Sequence, residues 1–299
     1  MLARKVLMIS PDDFGFNQDT AIDNFFQKNF PLTEKEIKSG AQAEFLTFKN
    51  LLESAGIEVI RFSPKYSVPC PDAVFPNNWF STHPTGEVIF YPMKSTSRRS
   101  ERHPAIIEYL TSHYKKVIDF SENEKHDKFL EGTGSIVISH KNKTAYASLS
   151  QRTNESLFYE WSSGMEHKPI VFHAEDENGN PVYHTNVLLC IGEGFAIVCL
   201  ESLKNAHERK LVVDSLTENG NSRIEISLSQ MHNFCANALA LQNNKGEQVF
   251  VISLRGWKAL NNKQQEQIRL FCSQIITPEL NVIETCGGGG ARCMLAELF

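Results

Sequence analysis

The chain has 299 residues, 41% of them apolar and 22% charged, with a formal net charge of −5, a composition able to bury a real core. No basic run marks a nucleic-acid partner, and no apolar run reaches membrane-spanning length. Only five apolar-leaning residues follow Met1-Leu2-Ala3-Arg4-Lys5, too few for a signal-peptide core, and an odd count of seven cysteines suits a reducing compartment, so a soluble cytoplasmic protein is expected.

Taken in chain order, the first clear element is a helix from Thr33 to Ala55, with Thr33 as N-cap and Glu36 completing a capping box. Gly56 stops it, and Ile57 to Phe62 alternates like a strand. Strands Trp79 to Thr82 and Val88 to Tyr91 follow, then a helix from Arg99 to Tyr114 and a strand from Lys116 to Phe120. The same order recurs as strands Ser135 to Ser139 and Thr144 to Ser148, helix Asn154 to Gly164 and strand Pro169 to His173. A third copy runs through Val187 to Ile191, Phe195 to Leu200, helix Asn205 to Asn219 and strand Arg223 to Ile226. A fourth has strands Ala238 to Gln242 and Val249 to Leu254, a helix over Asn262 to Gln274 and a strand over Asn281 to Glu284. The tail Met294 to Leu298 reads as the opening strand of a fifth unit that the N-terminal strand, helix and strand complete.

Each unit opens on a small or polar triplet centred on Asn78, Gly134, Asn186, Asn237 or Cys293, at separations of 56, 52, 51 and 56 by subtraction of those numbers. A repeat near fifty residues, with the last copy shared between the termini, describes a ring. Radial closure keeps sheet edges short. One α/β domain over residues 1–299, a pseudo-symmetric five-bladed α/β propeller of ββαβ units, is the expected fold. The irregular stretches Ser63 to Val74 and Ala174 to Pro181 are expected to cover a central site.

Equivalent triplets converge near a ring axis. The converging set is Asn77, Asn78, Glu131, His184, Asn186, Asn237 and Cys293. Cys293 follows Gly287-Gly288-Gly289-Gly290, glycines that permit positive φ and a close backbone approach to a ligand. Cysteine, histidine and a carboxylate together suit thiol catalysis. A nearby imidazolium or positive backbone field favours the thiolate, and a carboxylate on the other imidazole nitrogen fixes the tautomer. Cys286 is the competing nucleophile, while Cys190, Cys199 and Cys235 read as packing residues and Asn237 as structural.

These residues resemble the guanidino-group modifying superfamily of arginine and agmatine deiminases, dimethylarginine dimethylaminohydrolases and amidinotransferases. The matching segments are Gly287 to Cys293, Tyr183-His184-Thr185-Asn186, Leu130-Glu131-Gly132-Thr133-Gly134-Ser135, Phe75-Pro76-Asn77-Asn78-Trp79-Phe80 and Ser150-Gln151-Arg152-Thr153. The resemblance implies a five-bladed α/β propeller, and it implies Cys293 as nucleophile, His184 as proton shuttle and Glu131 as its orienting carboxylate. It also implies that Arg152, with Arg98 or Arg99, holds a substrate carboxylate. Two positions depart from the guanidine-binding pattern: Asn78 and Asn186 stand where aspartates are usual. Aspartates suit a guanidinium, whereas an amide offers both donors and an acceptor, the pattern of a neutral ureido head. The same departure resembles the citrulline-utilisation hydrolase branch.

The expectation is therefore a ureido hydrolase acting on L-citrulline, with Asn78 and Asn186 at the ureido head and Asn77 also a substrate-binding residue. It needs no metal or other cofactor, has a small amino acid as its partner rather than nucleic acid or membrane, and is compatible with a homo-oligomer. The rivals are an arginine-deiminase-type or amidinotransferase enzyme taking a guanidine, and a non-catalytic binding ring.

Overall fold

The computed structural model describes residues 1–28 and 31–299. Fifteen strands form five three-stranded sheets. The first sheet joins the two ends of the chain: β1 (Lys5–Ile9) pairs antiparallel with β15 (Ala296–Leu298) and parallel with β2 (Glu58–Phe62). The others are built locally from β3 (Phe80–Thr82), β4 (Glu87–Phe90) and β5 (Lys116–Asp119), from β6 (Val137–Ser139), β7 (Thr144–Ser148) and β8 (Lys168–Phe172), and from β9 (Leu189–Ile191), β10 (Phe195–Val198) and β11 (Ser222–Glu225). The last comprises β12 (Leu239–Gln242), β13 (Gln248–Val251) and β14 (Gln274–Ile276). In every sheet the middle strand meets one neighbour antiparallel and the other parallel through a helical crossover, and in all but the first the antiparallel pair is joined by a short turn.

The opening strands pack side by side, β15 against β3, β6 against β9 and β9 against β12. The result is the five-bladed α/β propeller expected from the repeat. Helices cover the outside. Helix Glu34–Ser54 buries Ile37, Ala41, Phe45, Phe48 and Leu52, spaced three or four apart on one face. Burying each of its two phenylalanines contributes roughly 1.5–3 kcal/mol. Its start is the Thr33–Glu36 capping box, with both reciprocal bonds present. Asn154, Asn205 and Asn261 cap the outer helices of the last three blades.

Three expectations are corrected. The helix expected over Arg99 to Tyr114 is a short turn, Thr96–Arg99, followed by a separate helix, Pro104–His113. Pro104 has no N–H to donate and keeps His103 extended. The closing strand of the fourth unit is Gln274–Ile276, in register with β13. Asn281–Gly287, expected as a strand, is helical. Glu44 of the first helix accepts hydrogen bonds from the backbone N–H groups of Val282 (2.8 Å) and Ile283 (3.0 Å), satisfying donors that a helix start leaves free. Finally, Ser63 to Val74 reaches the central cleft only through Asp72, and Ala174 to Pro181 contributes no residue to it; segment Asn17–Gln27 lies there instead.

Candidate active site

Four of the five triplets form a single helical turn at the mouth of their opening strand, namely Pro76–Asn78, Gly132–Ser135, Thr185–Val187 and Ala291–Met294. Hydrogen bonds link them around the axis. Asn77 Nδ2 donates to Thr133 Oγ1 (3.2 Å), Asn186 Nδ2 to the Thr133 carbonyl (3.1 Å), and Asn237 Nδ2 to Asn186 Oδ1 (3.3 Å) and Cys293 Sγ (3.2 Å). Such closeness excludes side chains where the turns abut. A Cβ on Gly132 (φ +47°) would sit 2.3 Å from the Asn77 carbonyl oxygen. Of the four glycines before Cys293, only Gly288 has positive φ (+65°), and its carbonyl accepts the Tyr183 hydroxyl at 2.8 Å.

Cys293, His184, Asn78, Arg98 and Arg152 share one cleft of about 20 Å³ with Asp72, Phe75, Tyr183, Thr20, Asn24 and Gly287 to Gly289. Glu131 stands directly behind it. Its Oε2 accepts from His184 Nε2 at 2.8 Å and from Arg152 Nη1 at 3.4 Å, and its Oε1 accepts the Lys94 backbone N–H at 3.0 Å. A carboxylate can only accept, so Nε2 carries the imidazole proton and Nδ1 is the basic nitrogen. Burial opposes ionisation of Glu131, but Arg152, His184 and Arg98 outweigh it and hold the carboxyl far below its ordinary range. Burial lowers the pKa of His184 against the opposing pull of Glu131.

Burial also raises the Cys293 thiol, against hydrogen bonds from Asn237 and Asn186 and the charge of Arg292. Both shifts favour the uncharged forms, neutral thiol and neutral imidazole. Transferring the thiol proton as the sulfur attacks is the chemistry such a pair supports. Cys286, the rival nucleophile, is buried in helix Asn281–Gly287 within the core and does not line the cleft.

The remaining expected residues are placed as follows. Arg98 Nη1 donates to Asn78 Oδ1 at 2.6 Å, and its Nε and Nη2 grip both oxygens of Glu101 at 2.8 and 2.9 Å. Guanidinium only donates, so Asn78 must present its NH₂ to the cleft, and that nitrogen has no partner among the described residues. Asn186 does not line the cleft: its Nδ2 donates to the Thr133 carbonyl and lies 3.8 Å from Cys293 Sγ. Asn77 is fully buried against Thr133, away from the cleft. Arg99 donates to the Met93 carbonyl and pairs with Glu124 (3.3 Å), also outside the cleft. Arg152 is engaged by Asp23, which accepts from its Nε (3.2 Å) and its Nη2.

Sequence reasoning missed several residues here. Asn237 converges on the axis as the repeat implies, and beyond a structural role it bonds the cysteine sulfur and fixes the loop by accepting the Gly290 N–H at 3.1 Å. Its place in the fourth triplet was the available signal. Asp72, Glu101, Lys94 and Asp23 carried no signal, because each reaches the site only through the tertiary fold. Asp72 is buried, accepts from Asn17 (2.8 Å) and Thr20 (3.0 Å), and keeps Oδ1 without a partner among the described residues. Burial raises its pKa, with Arg98 opposing. Among the described residues, no three His, Cys, Asp or Glu side chains are disposed to hold a metal ion, and no helix is long and apolar enough to cross a membrane.

A family model described as N,N dimethylarginine dimethylhydrolase, eukaryotic, matches residues 10–299. No curated protein matches the chain. Among solved structures, the substrate-bound N-terminal domain of ArgZ, an arginine dihydrolase from the ornithine-ammonia cycle in cyanobacteria, aligns with a TM-score of 0.76 and 15% identity over 98% of this chain and 97% of that one. AgrE in a ternary complex with ornithine and NAD+ aligns at 0.78 and 16% identity, over 99% of this chain but 39% of AgrE. DDAH from Pseudomonas aeruginosa, complexed with citrulline, aligns at 0.68 and 15% identity over 100% of both chains. At these identities the likeness is one of fold.

Proposed function

The chain belongs to the N,N dimethylarginine dimethylhydrolase family, and from that premise we propose that it hydrolyses a ureido C–N bond, that of L-citrulline. The products are ornithine, ammonia and carbon dioxide, with one water consumed. The observation that carries this reading is the orientation of Asn78. Arg98 occupies its carbonyl oxygen at 2.6 Å, leaving only N–H donors toward the cleft. A ureido oxygen accepts from such a group. A guanidinium, which only donates, meets it donor to donor.

In this reading Cys293 attacks the ureido carbon as its proton passes to His184. Protonated His184 then gives that proton to the departing nitrogen, and the carbamoyl group remains on sulfur or on sulfur and the retained nitrogen, according to which C–N bond breaks first. Neutral His184 next takes a proton from a water whose oxygen attacks the carbamoyl carbon. The C–S bond breaks, the proton returns to sulfur, and the carbamic acid released decomposes to carbon dioxide and the remaining amine or ammonia. Glu131 stabilises the transient imidazolium. Asn78 holds the head group, Asn186 acts through the Cys293 sulfur beside it, and Arg152 takes the carboxylate.

A second reading, hydrolysis of a guanidine, is favoured by one feature: the unpartnered Oδ1 of Asp72 is an acceptor suited to a guanidinium N–H. The two are separated by measuring ornithine and ammonia release from L-citrulline, with L-arginine and Nω,Nω-dimethylarginine in parallel. The expected outcome is turnover of L-citrulline alone, abolished in Cys293→Ala with the thermal midpoint essentially retained. Turnover of a guanidine alone overturns the ureido assignment, and retained activity in Cys293→Ala overturns the nucleophile.

A further inference from the structure

The catalytic cleft of about 20 Å³ holds little more than one water. An amino-acid substrate must therefore extend beyond it. A vestibule of about 290 Å³ lined by Asp19, Ile22, Asp23, Lys94, Ser95, Thr96 and Arg152 shares a charged wall with the cleft. Arg152 belongs to both spaces, and segment Asp19 to Asn24 partitions them.

At that partition one carboxylate bridges two cations. Asp23 Oδ2 accepts from Lys94 Nζ at 2.5 Å, and its Oδ1 accepts from Arg152 Nε at 3.2 Å and from Arg152 Nη2. Both cations keep other anchors. Arg152 lies over the Tyr183 ring (5.1 Å to the centroid) and donates to Glu131, while Lys94 Nζ also donates to Gln151 Oε1 at 2.5 Å. Taking Asp23 away thus leaves two positioned cations that had shared one carboxylate, where the cleft meets the vestibule.

We infer that Lys94 and Arg152 together form the receptor for the substrate α-carboxylate, and that Asp23 occupies this receptor until the substrate carboxylate displaces it. The inference rests on the amino-acid reading above and extends it: Lys94 becomes a binding residue, and Asp23 an internal competitor. Exchanging one carboxylate for another leaves the count of buried charges unchanged, so neither cation is stranded without an anion in either state. No covalent step is involved. Selection for a carboxylate-bearing substrate over an amine lacking one follows, because a ligand without a carboxylate has nothing to offer in place of Asp23.

The test is binding of L-norvaline by calorimetry, a linear amino acid with no ureido group, so that it reads the receptor whether or not L-citrulline is hydrolysed. Lys94→Met should weaken L-norvaline about tenfold, the size of one lost charge-assisted hydrogen bond. The backbone N–H that Lys94 gives Glu131 survives this change. Asp23→Asn should tighten L-norvaline severalfold. With turnover as readout, Lys94→Met should raise KM for L-citrulline about tenfold more than for N-carbamoylputrescine, its counterpart without a carboxylate. The inference is overturned if wild type does not bind L-norvaline, if Lys94→Met binds it as wild type does, or if Asp23→Asn weakens it, which would make Asp23 a ligand for the ammonium group. Failure of L-citrulline turnover with these binding shifts intact would overturn the ureido reading alone.

Discussion

Two buried imidazoles in this ring behave differently. His184, 2% exposed, sits at the mouth of β9, and His83, 1% exposed, at the far end of β3. Burial lowers the pKa of both. His184 is paired with Glu131 at 2.8 Å, which pulls its pKa back up. His83 faces the Ser81 hydroxyl at 2.8 Å and has His140 and His167 around it. Desolvation, aided by His167, takes it down to about 3. A carboxylate facing a buried imidazole offsets part of the cost of its charge, and where none faces it that cost stands in full. The two imidazoles are told apart by one partner, Glu131.

The comparison can be broken most severely at that partner. Glu131→Gln leaves a group of the same size that cannot offset an imidazolium, and kcat on L-citrulline should fall roughly 10²–10⁴-fold. A kcat within a factor of a few of wild type would mean that His184 does not carry charge during turnover. The second test acts on the sulfur. Asn237 Nδ2 is the nearest side-chain donor to Cys293 Sγ at 3.2 Å, and it favours the thiolate. Asn237→Ala should raise the thiol pKa, and alkylation of Cys293 by iodoacetamide at pH 7.5 should slow about five- to tenfold. An unchanged pH profile of alkylation would reduce Asn237 to a scaffold residue.

The smallest effect sharpens the His83 end. The pKa of His83 is depressed in the folded chain, to about 3 from an ordinary 6.5. Below pH 6.5 the unfolded chain therefore binds a proton that the folded chain refuses. Its contribution to stability is present above pH 6.5 and is lost as the pH falls toward 3. Between pH 6.5 and 5 the loss is about 2 kcal/mol for this one group. Urea denaturation of wild type and His83→Asn at the two values should show the variant losing less on acidification. Equal losses would place the acid sensitivity elsewhere, with His140 and His167 the next candidates, since both are also shifted down.

What the sequence determined by itself is whatever repeats or caps locally. The five triplets at 56, 52, 51 and 56 residues set the blades, because alternation along a strand and three-to-four spacing along a helix record which face is buried. Thr33, Asn154 and Asn205 announced their helices, since an N-cap acts within three residues. Cys293, His184 and Asn78 were legible as one cleft, with Glu131 behind it, because equivalent positions in a ring converge on its axis. Tertiary structure alone decided the rest. The helix at Asn281–Gly287 depends on Glu44, and Asp23 meets Arg152 across 129 positions. Asn17 to Gln27 has no periodicity to declare that it overlies the cleft. The orientation of Asn78 depends on Arg98, which Glu101 holds. Such pairings are fixed by where two distant segments pass each other, and local pattern carries no record of that meeting.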